Sequence, residues 1–112
     1  DTVRSDLDTG IQGLLIEVPD GFPSLESKIV SVGEQMTIGR AKTSGLAVPM
    51  DRKMSRSHFS LHCEPTHIVI RELGSTNGSF VNGVRVSEEL RIQNGDQITA
   101  GMTCFRVRLL RT

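Results

Sequence analysis

The chain has no tryptophan, no tyrosine and only four phenylalanines. Few aromatics remain on which nucleic-acid bases could stack. No run approaches the roughly 20 apolar residues that a membrane-spanning helix requires. The first residues lack the basic start and apolar core of a secretory signal. Charge of one sign is also missing. Lys plus Arg and Asp plus Glu are both 13, giving zero net charge, which argues against a globally basic nucleic-acid binder. The two cysteines, Cys63 and Cys104, form no CxxC pair and no disulfide framework. They read as two buried free thiols in a reducing compartment. The expectation is a soluble cytoplasmic chain, or a nuclear one if the source is eukaryotic. Its 112 residues suffice for one domain with its own core.

What is present is glycine, 11 residues of it, and short strand-like runs. Residues 1–12 are polar and aperiodic and read as a flexible arm or linker end. A compact domain is expected over 13–112. Gly13 to Val18 is an apolar run closed by Pro19-Asp20-Gly21, a strong turn signal. Short runs follow at Lys28–Val32, Met36–Ile38 and Leu46–Val48. From His58 to Cys63 the pattern alternates, with Phe59, Leu61 and Cys63 on one face and His58, Ser60 and His62 on the other. Ile68-Val69-Ile70 is continuously β-branched. Thr103 to Leu110 alternates again, with Phe105, Val107 and Leu109 opposite Arg106 and Arg108. Three Asn-Gly pairs, at 77–78, 82–83 and 94–95, signal tight turns with positive φ. No helical period is visible. The fold class is therefore all-β, an antiparallel β-sandwich with functional loops at one end.

Familiar catalytic motifs are missing: no GxSxG, no HExxH and no GxxxxGK[ST]. His58 and His62 beside Cys63 invite a zinc reading, but a strand would turn Cys63 away from both, and no fourth ligand has the usual spacing. No metal and no cofactor is expected. Asn77-Gly78-Ser79 fits a glycosylation sequon by chance, without a secretory signal. The informative feature is charge placement. Residues 40–56 hold Arg40, Lys42, Arg52, Lys53 and Arg56 against Asp51 alone, so five minus one gives +4 in a neutral chain. A solvated basic face is the ordinary fate of such a run. Here the cations alternate with Gly, Ser and Thr, and a second hydroxyl-rich loop, Gly74-Ser75-Thr76-Asn77-Gly78, follows. Cations, hydroxyls and free backbone N–H groups together suit a phosphate.

In order and spacing, Gly39-Arg40, Ser55-Arg56-Ser57-His58, Gly74-Ser75-Thr76-Asn77-Gly78, Val81-Asn82-Gly83 and Asn94-Gly95-Asp96 resemble the forkhead-associated (FHA) domain over residues 13–110. That resemblance implies a sandwich of about eleven strands and recognition of phosphothreonine peptides. It implies roles residue by residue. Arg40, Ser55 and Arg56 face the phosphate, Thr76 touches the phosphate or lines the pocket for the threonine methyl, and Asn77 bonds the peptide backbone beside the phosphothreonine. Lys53 reads an acidic side chain three residues further on. Gly39, His58, Gly78, Asn82 and Gly83 are structural, with His58 a buried loop scaffold and not a general base. The implied partner is a phosphothreonine-containing protein in a Ser/Thr kinase pathway, with no nucleic acid and no membrane, and the domain is expected to be part of a longer chain. The competing readings are an FHA scaffold that binds without phosphate, a hydrolase built on Ser55 and His58, and nucleic-acid binding through residues 40–56. Phosphorylation of Thr2 or Thr9 is one further expectation, letting the arm occupy its own site.

Overall fold

The computed structural model describes residues 10–18 and 25–111. Within them the chain forms eleven strands and no helix. These are β1 Ile11–Glu17, β2 Lys28–Ser31, β3 Gln35–Gly39, β4 Leu46–Ala47, β5 Phe59–Cys63, β6 Ile68–Glu72, β7 Ser79–Val81, β8 Val84–Arg85, β9 Glu89–Ile92, β10 Gln97–Ala100 and β11 Thr103–Arg111. One sheet has the order β2-β1-β11-β10-β7-β8, the other β4-β3-β5-β6-β9. The expected sandwich is there, with one departure from antiparallel pairing. After β3 the chain doubles back and runs forward again, so β4 lies parallel to β3 with Ile38 opposite Leu46.

Two sequence expectations shift at the edges. Ile11 and Gln12 belong to β1 and not to the arm, and Ile11 is buried against the core. The first nine residues, with Thr2 and Thr9, lie outside the described residues, as does the Pro19-Asp20-Gly21 turn. Of the three Asn-Gly pairs, only Asn82-Gly83 closes a two-residue hairpin, between β7 and β8. Both residues take positive φ, 50° and 84°, as a turn matched to strand twist requires. Gly78 and Gly95 also have positive φ, but their asparagines do not. Those two pairs sit in connections that carry the chain from one sheet to the other.

The core lies between the sheets. Its centre is an edge-to-face pair of Phe59 and Phe105, with ring centroids 5.6 Å apart. Leu14, Ile16, Ile38, Leu61, Ile68, Ile70, Ile98 and Val107 surround it, all fully buried. Each such side chain contributes about 1.5–3 kcal/mol by leaving water, which fixes the inward face of every long strand. The β11 alternation reads as expected. The β5 alternation does not: His58 and Ser60 are buried along with Phe59 and Leu61. Ser60 is small and lies between Thr37 and Arg71 on the flanking strands. His58 is covered by the β6–β7 connection. Asn82 accepts from Gln97 N (3.0 Å) and donates to Asp96 (3.0 Å), tying the hairpin to β10.

Candidate functional site

The connections β3–β4, β4–β5 and β6–β7 meet at one end of the sandwich. The first two are zipped together. Arg40 N donates to Ser55 O (2.9 Å), Ala41 N to Arg56 O (3.1 Å) and His58 N to Ile38 O (2.9 Å), continuing the β3–β5 ladder beyond its last pair. The close approach explains Gly39. A Cβ there would lie 2.7 Å from the Arg56 carbonyl carbon and overlap its oxygen. Gly39 is needed for lack of volume and not for an unusual φ. Arg40 Nε donates to Met54 O (3.0 Å), which fixes the guanidinium and leaves its terminal nitrogens available.

The β4–β5 and β6–β7 connections are joined through His58. Its ring, fully buried, accepts from Ser55 N at Nδ1 (3.0 Å) and donates from Nε2 to Gly78 O (2.8 Å). These partners select the neutral Nε2–H tautomer. Thr76 N donates to Ser55 Oγ (3.0 Å), and Asn77 Nδ2 to Lys53 O (2.8 Å). Ser55 Oγ therefore has an N–H on one lone pair and its own proton free to donate. Asn77 keeps its Oδ1 and its second amide hydrogen. Ser55 is half-buried, while Lys53, Arg56, Thr76 and Asn77 are exposed.

Two carboxylates brace this end from beneath. Glu72, the last residue of β6, accepts from Ser75 N (2.6 Å), Ser75 Oγ (2.8 Å) and Ser79 Oγ (2.7 Å), and Ser75 Oγ in turn accepts from Gly78 N (2.9 Å). Burial pushes the Glu72 carboxyl up. The hydrogen bonds from Ser79 and Ser75 outweigh it and hold the group below the ordinary glutamate range. Asp51 is fully buried. It accepts from Lys53 N (3.0 Å), Met102 N (2.8 Å) and Thr103 Oγ1 (2.6 Å), pinning the β4–β5 connection to the β10–β11 turn. A Cβ on Gly101, which has positive φ, would sit 2.7–2.8 Å from both Asp51 oxygens.

A family model for the FHA domain matches residues 36–101. The chain belongs to the FHA-domain family. It is 43% identical over 53 residues to vacuolar protein sorting-associated protein 64 of Saccharomyces cerevisiae, covering 45% of this chain and 9% of that protein. It is 30% identical over 80 residues to FHA domain-containing protein FhaB of Mycobacterium tuberculosis, covering 70% of this chain and 51% of that protein. The chain thus spans at most about half the length of these curated relatives. An FHA domain solved for its phosphothreonine-dependent interactions matches with a TM-score of 0.79 and 27% identity, covering 90% of this chain and 100% of that one.

On this FHA domain, Arg40, Ser55, Arg56, Thr76 and Asn77 come to one end of the sandwich, on connections joined by hydrogen bonds. Lys53 is on the same rim, its carbonyl held by Asn77. The geometry does not favour a Ser55–His58 nucleophile pair, because His58 Nδ1 meets the amide of Ser55 while the hydroxyl meets Thr76 N. His62 lies 3.6 Å from Glu64, and among the described residues no cluster of His, Cys, Asp and Glu could hold a metal. Cys63 is buried, and that burial, with Glu64 and Glu34 near, pushes its thiol up. Cys104 is only half-buried, contrary to expectation, because it faces outward on β11.

Sequence reading missed Asp51 and Glu72. Asp51 counted only as the lone acid among five cations, yet an acid shortly after a proline and two residues before a loop backbone N–H is a recognisable local acceptor. Glu72 sits three residues before Ser75, but its bond to Ser79 across the loop leaves no local signature.

Proposed function

We propose that this FHA domain is a phosphothreonine-peptide-binding module that mediates phosphorylation-dependent protein–protein interaction and performs no covalent chemistry. The observation carrying the reading is the state of Ser55. Its hydroxyl oxygen accepts from Thr76 N, which leaves its own proton available to donate, and it lies on a loop laced to Arg40. The phosphate sits against the free nitrogens of Arg40 and the hydroxyl of Ser55, with Arg56 and Thr76 at its edges. A planar guanidinium suits two phosphate oxygens at once. Asn77 uses its free Oδ1 and remaining amide hydrogen on the peptide backbone, and Lys53 reads an acidic side chain further along.

A phosphate carries about −1.5 to −2 charges, and each charge-assisted bond contributes about 1.5–3 kcal/mol net. Four or five bonds, less about 2–5 kcal/mol for ordering a floppy peptide, leave a total near −8 kcal/mol, roughly micromolar. The loops are already braced, so little of that energy goes into ordering the protein. No cofactor takes part. The partner is a protein phosphorylated on threonine by a Ser/Thr kinase.

The test is titration with an oriented phosphothreonine peptide library, with matched phosphoserine and unphosphorylated sets, on the wild type and on Ser55→Ala and Arg40→Ala. Micromolar affinity for phosphothreonine alone, reduced at least tenfold by each substitution, is the expected outcome. A folded protein that binds no set would overturn the reading and favour a phosphate-independent scaffold.

A further inference from the structure

Thr43 lines a shallow depression of about 370 Å³ together with Arg40, Ala41, Lys42, Pro49 and Arg56. The phosphothreonine reading already places Arg40 and Arg56 on the peptide phosphate, so the depression is part of that site and not a second one. Three of its six lining residues are cations and none is an acid. Among the described residues no ion pair engages them. The one hydroxyl in the depression belongs to Thr43. That residue is exposed, and its hydroxyl makes no hydrogen bond within the described residues.

The backbone holds Thr43 there. Lys42 and Thr43 are the corner residues of a turn that Ser44 N closes on Ala41 O (3.0 Å). Both ends of that turn are bonded to one carbonyl, since Ala41 N and Ser44 Oγ each donate to Arg56 O (3.1 and 3.4 Å). The turn is thus fixed against the residue that supplies one of the cations, with the Thr43 hydroxyl unbonded at its tip. Ser44, the neighbouring hydroxyl, is half-buried and already engaged. The flanking sequence suits a kinase. Arg40 and Lys42 precede Thr43, and residues 35–50 contain no acid. A Ser/Thr kinase with an acidic substrate cleft is complementary to such a segment.

We propose that Thr43 is a phosphorylation site and that its phosphate shuts the domain's own phosphothreonine site. The kinase transfers the γ-phosphoryl group of Mg-ATP. A bond forms between Thr43 Oγ1 and phosphorus, the bond from phosphorus to the bridging oxygen breaks with its electron pair going to ADP, and the hydroxyl proton passes to the kinase's base. The product carries about −1.5 to −2 charges opposite an arginine cluster, an arrangement in which a phosphate gains about one to three charge-assisted hydrogen bonds. Here the partners are the free nitrogens of Arg40 and the side chains of Lys42 and Arg56. The proposal rests on the phosphothreonine reading, because the same two arginines then serve either the tethered phosphate or the incoming one. A tethered group competes at an effective concentration on the order of millimolar, against a free peptide of roughly micromolar affinity. It lacks the Asn77 contact to a peptide backbone. The expected loss of peptide affinity is therefore at least tenfold, short of the roughly thousandfold that an equal ligand would give.

Two forms of the full chain test this. In one, the folded domain is treated with Mg-ATP and a panel of Ser/Thr kinases that select basic residues before the target, and mass spectrometry locates the phosphate. In the other, a synthetic 1–62 segment carrying phosphate on Thr43 is ligated to 63–112 through Cys63 and refolded, with circular dichroism as the check. Affinity for a phosphothreonine peptide is measured by fluorescence polarisation, and the Thr43 phosphate is titrated by phosphorus NMR. The expected results are phosphate on Thr43 and at least tenfold weaker peptide binding in both forms. Phosphatase treatment should restore binding, and Thr43→Ala should leave it at the wild-type level. The second ionisation of the phosphate should fall below its ordinary value of about 6, because cations surround it. No incorporation at Thr43 by any kinase of the panel overturns the proposal, as does a peptide affinity that the phosphate leaves unchanged. Weakened affinity with the phosphate titrating at its ordinary value also overturns it, by showing charge repulsion without occupancy. A phosphorylated chain that dimerises in light scattering does the same, by seating the phosphate in a second copy. An unphosphorylated domain that binds no phosphothreonine peptide overturns the underlying reading, and with it any site for Thr43 to close.

Discussion

Asp51→Asn isolates the anchor beneath the binding loop. The carboxylate takes three donors, Lys53 N on Oδ1 and both Met102 N and Thr103 Oγ1 on Oδ2. An amide has one oxygen. Placed at the Oδ2 position, it keeps Met102 and Thr103, but its NH2 then faces the Lys53 N–H, donor against donor. The two surviving bonds fall from the charged class, about 1.5–3 kcal/mol, to the neutral class, about 0.5–1.5 kcal/mol, and the third becomes an unsatisfied pair costing about 1–3 kcal/mol. Relief from burying a charge offsets part of this. The net loss is about 3 kcal/mol, a large share of the roughly 5–15 kcal/mol that holds a domain together. In a domain of this size it lowers Tm by about 10–15 °C. Urea unfolding followed by circular dichroism measures the loss directly. Peptide affinity at a temperature where the variant stays folded should also weaken severalfold, because Lys53 to Arg56 must then be ordered on binding. A change below about 0.5 kcal/mol with unchanged affinity would refute the claim that Asp51 holds the loop, and would mean that water serves the three donors equally well.

Gly39→Ala forces the new methyl into the Arg56 carbonyl, so the Arg40–Ser55 and Ala41–Arg56 bonds separate. Phosphopeptide affinity should drop at least tenfold with a stability loss of about 1–3 kcal/mol, read by titration and urea unfolding; retention of both would mean the two loops can part without cost. Glu72 gives a pH dependence with a fixed sign. Its folded-state carboxyl titrates below the ordinary value of about 4.3, so its contribution is complete above that pH and is lost as pH falls through the lower folded value. Hydrogen exchange of Ser75 and Gly78 amides should accelerate relative to core strands as pH falls through that lowered value, and Glu72→Gln should abolish that difference.

The elements that read clearly in the sequence are those whose burial is one-sided and whose length exceeds a few residues. β11 is the clearest case, since Phe105 and Val107 alternate with Arg106 and Arg108 over nine residues. β4 and β8 are two residues long and carry no period of their own; pairing partners define them. His58 defeats the alternation rule because the β6–β7 connection covers it, and Ser60 because it is small and lies between Thr37 and Arg71 on the flanking strands. The candidate binding residues were legible because they cluster in short spans with distinctive types. The anchors Asp51 and Glu72 were not, because their meaning depends on donors such as Thr103, 52 residues away, and Ser79, on the opposite sheet.

The Asp51–Thr103 bond also sets an order of events during synthesis. A ribosome adds about 5–20 residues per second, so several seconds separate the emergence of Asp51 from that of Thr103. By the end of that interval the nascent chain contains Arg40, Ser55, Thr76 and Asn77. It still lacks the hairpin on which their loop is pinned. The candidate site is therefore complete only once the last hairpin has been made.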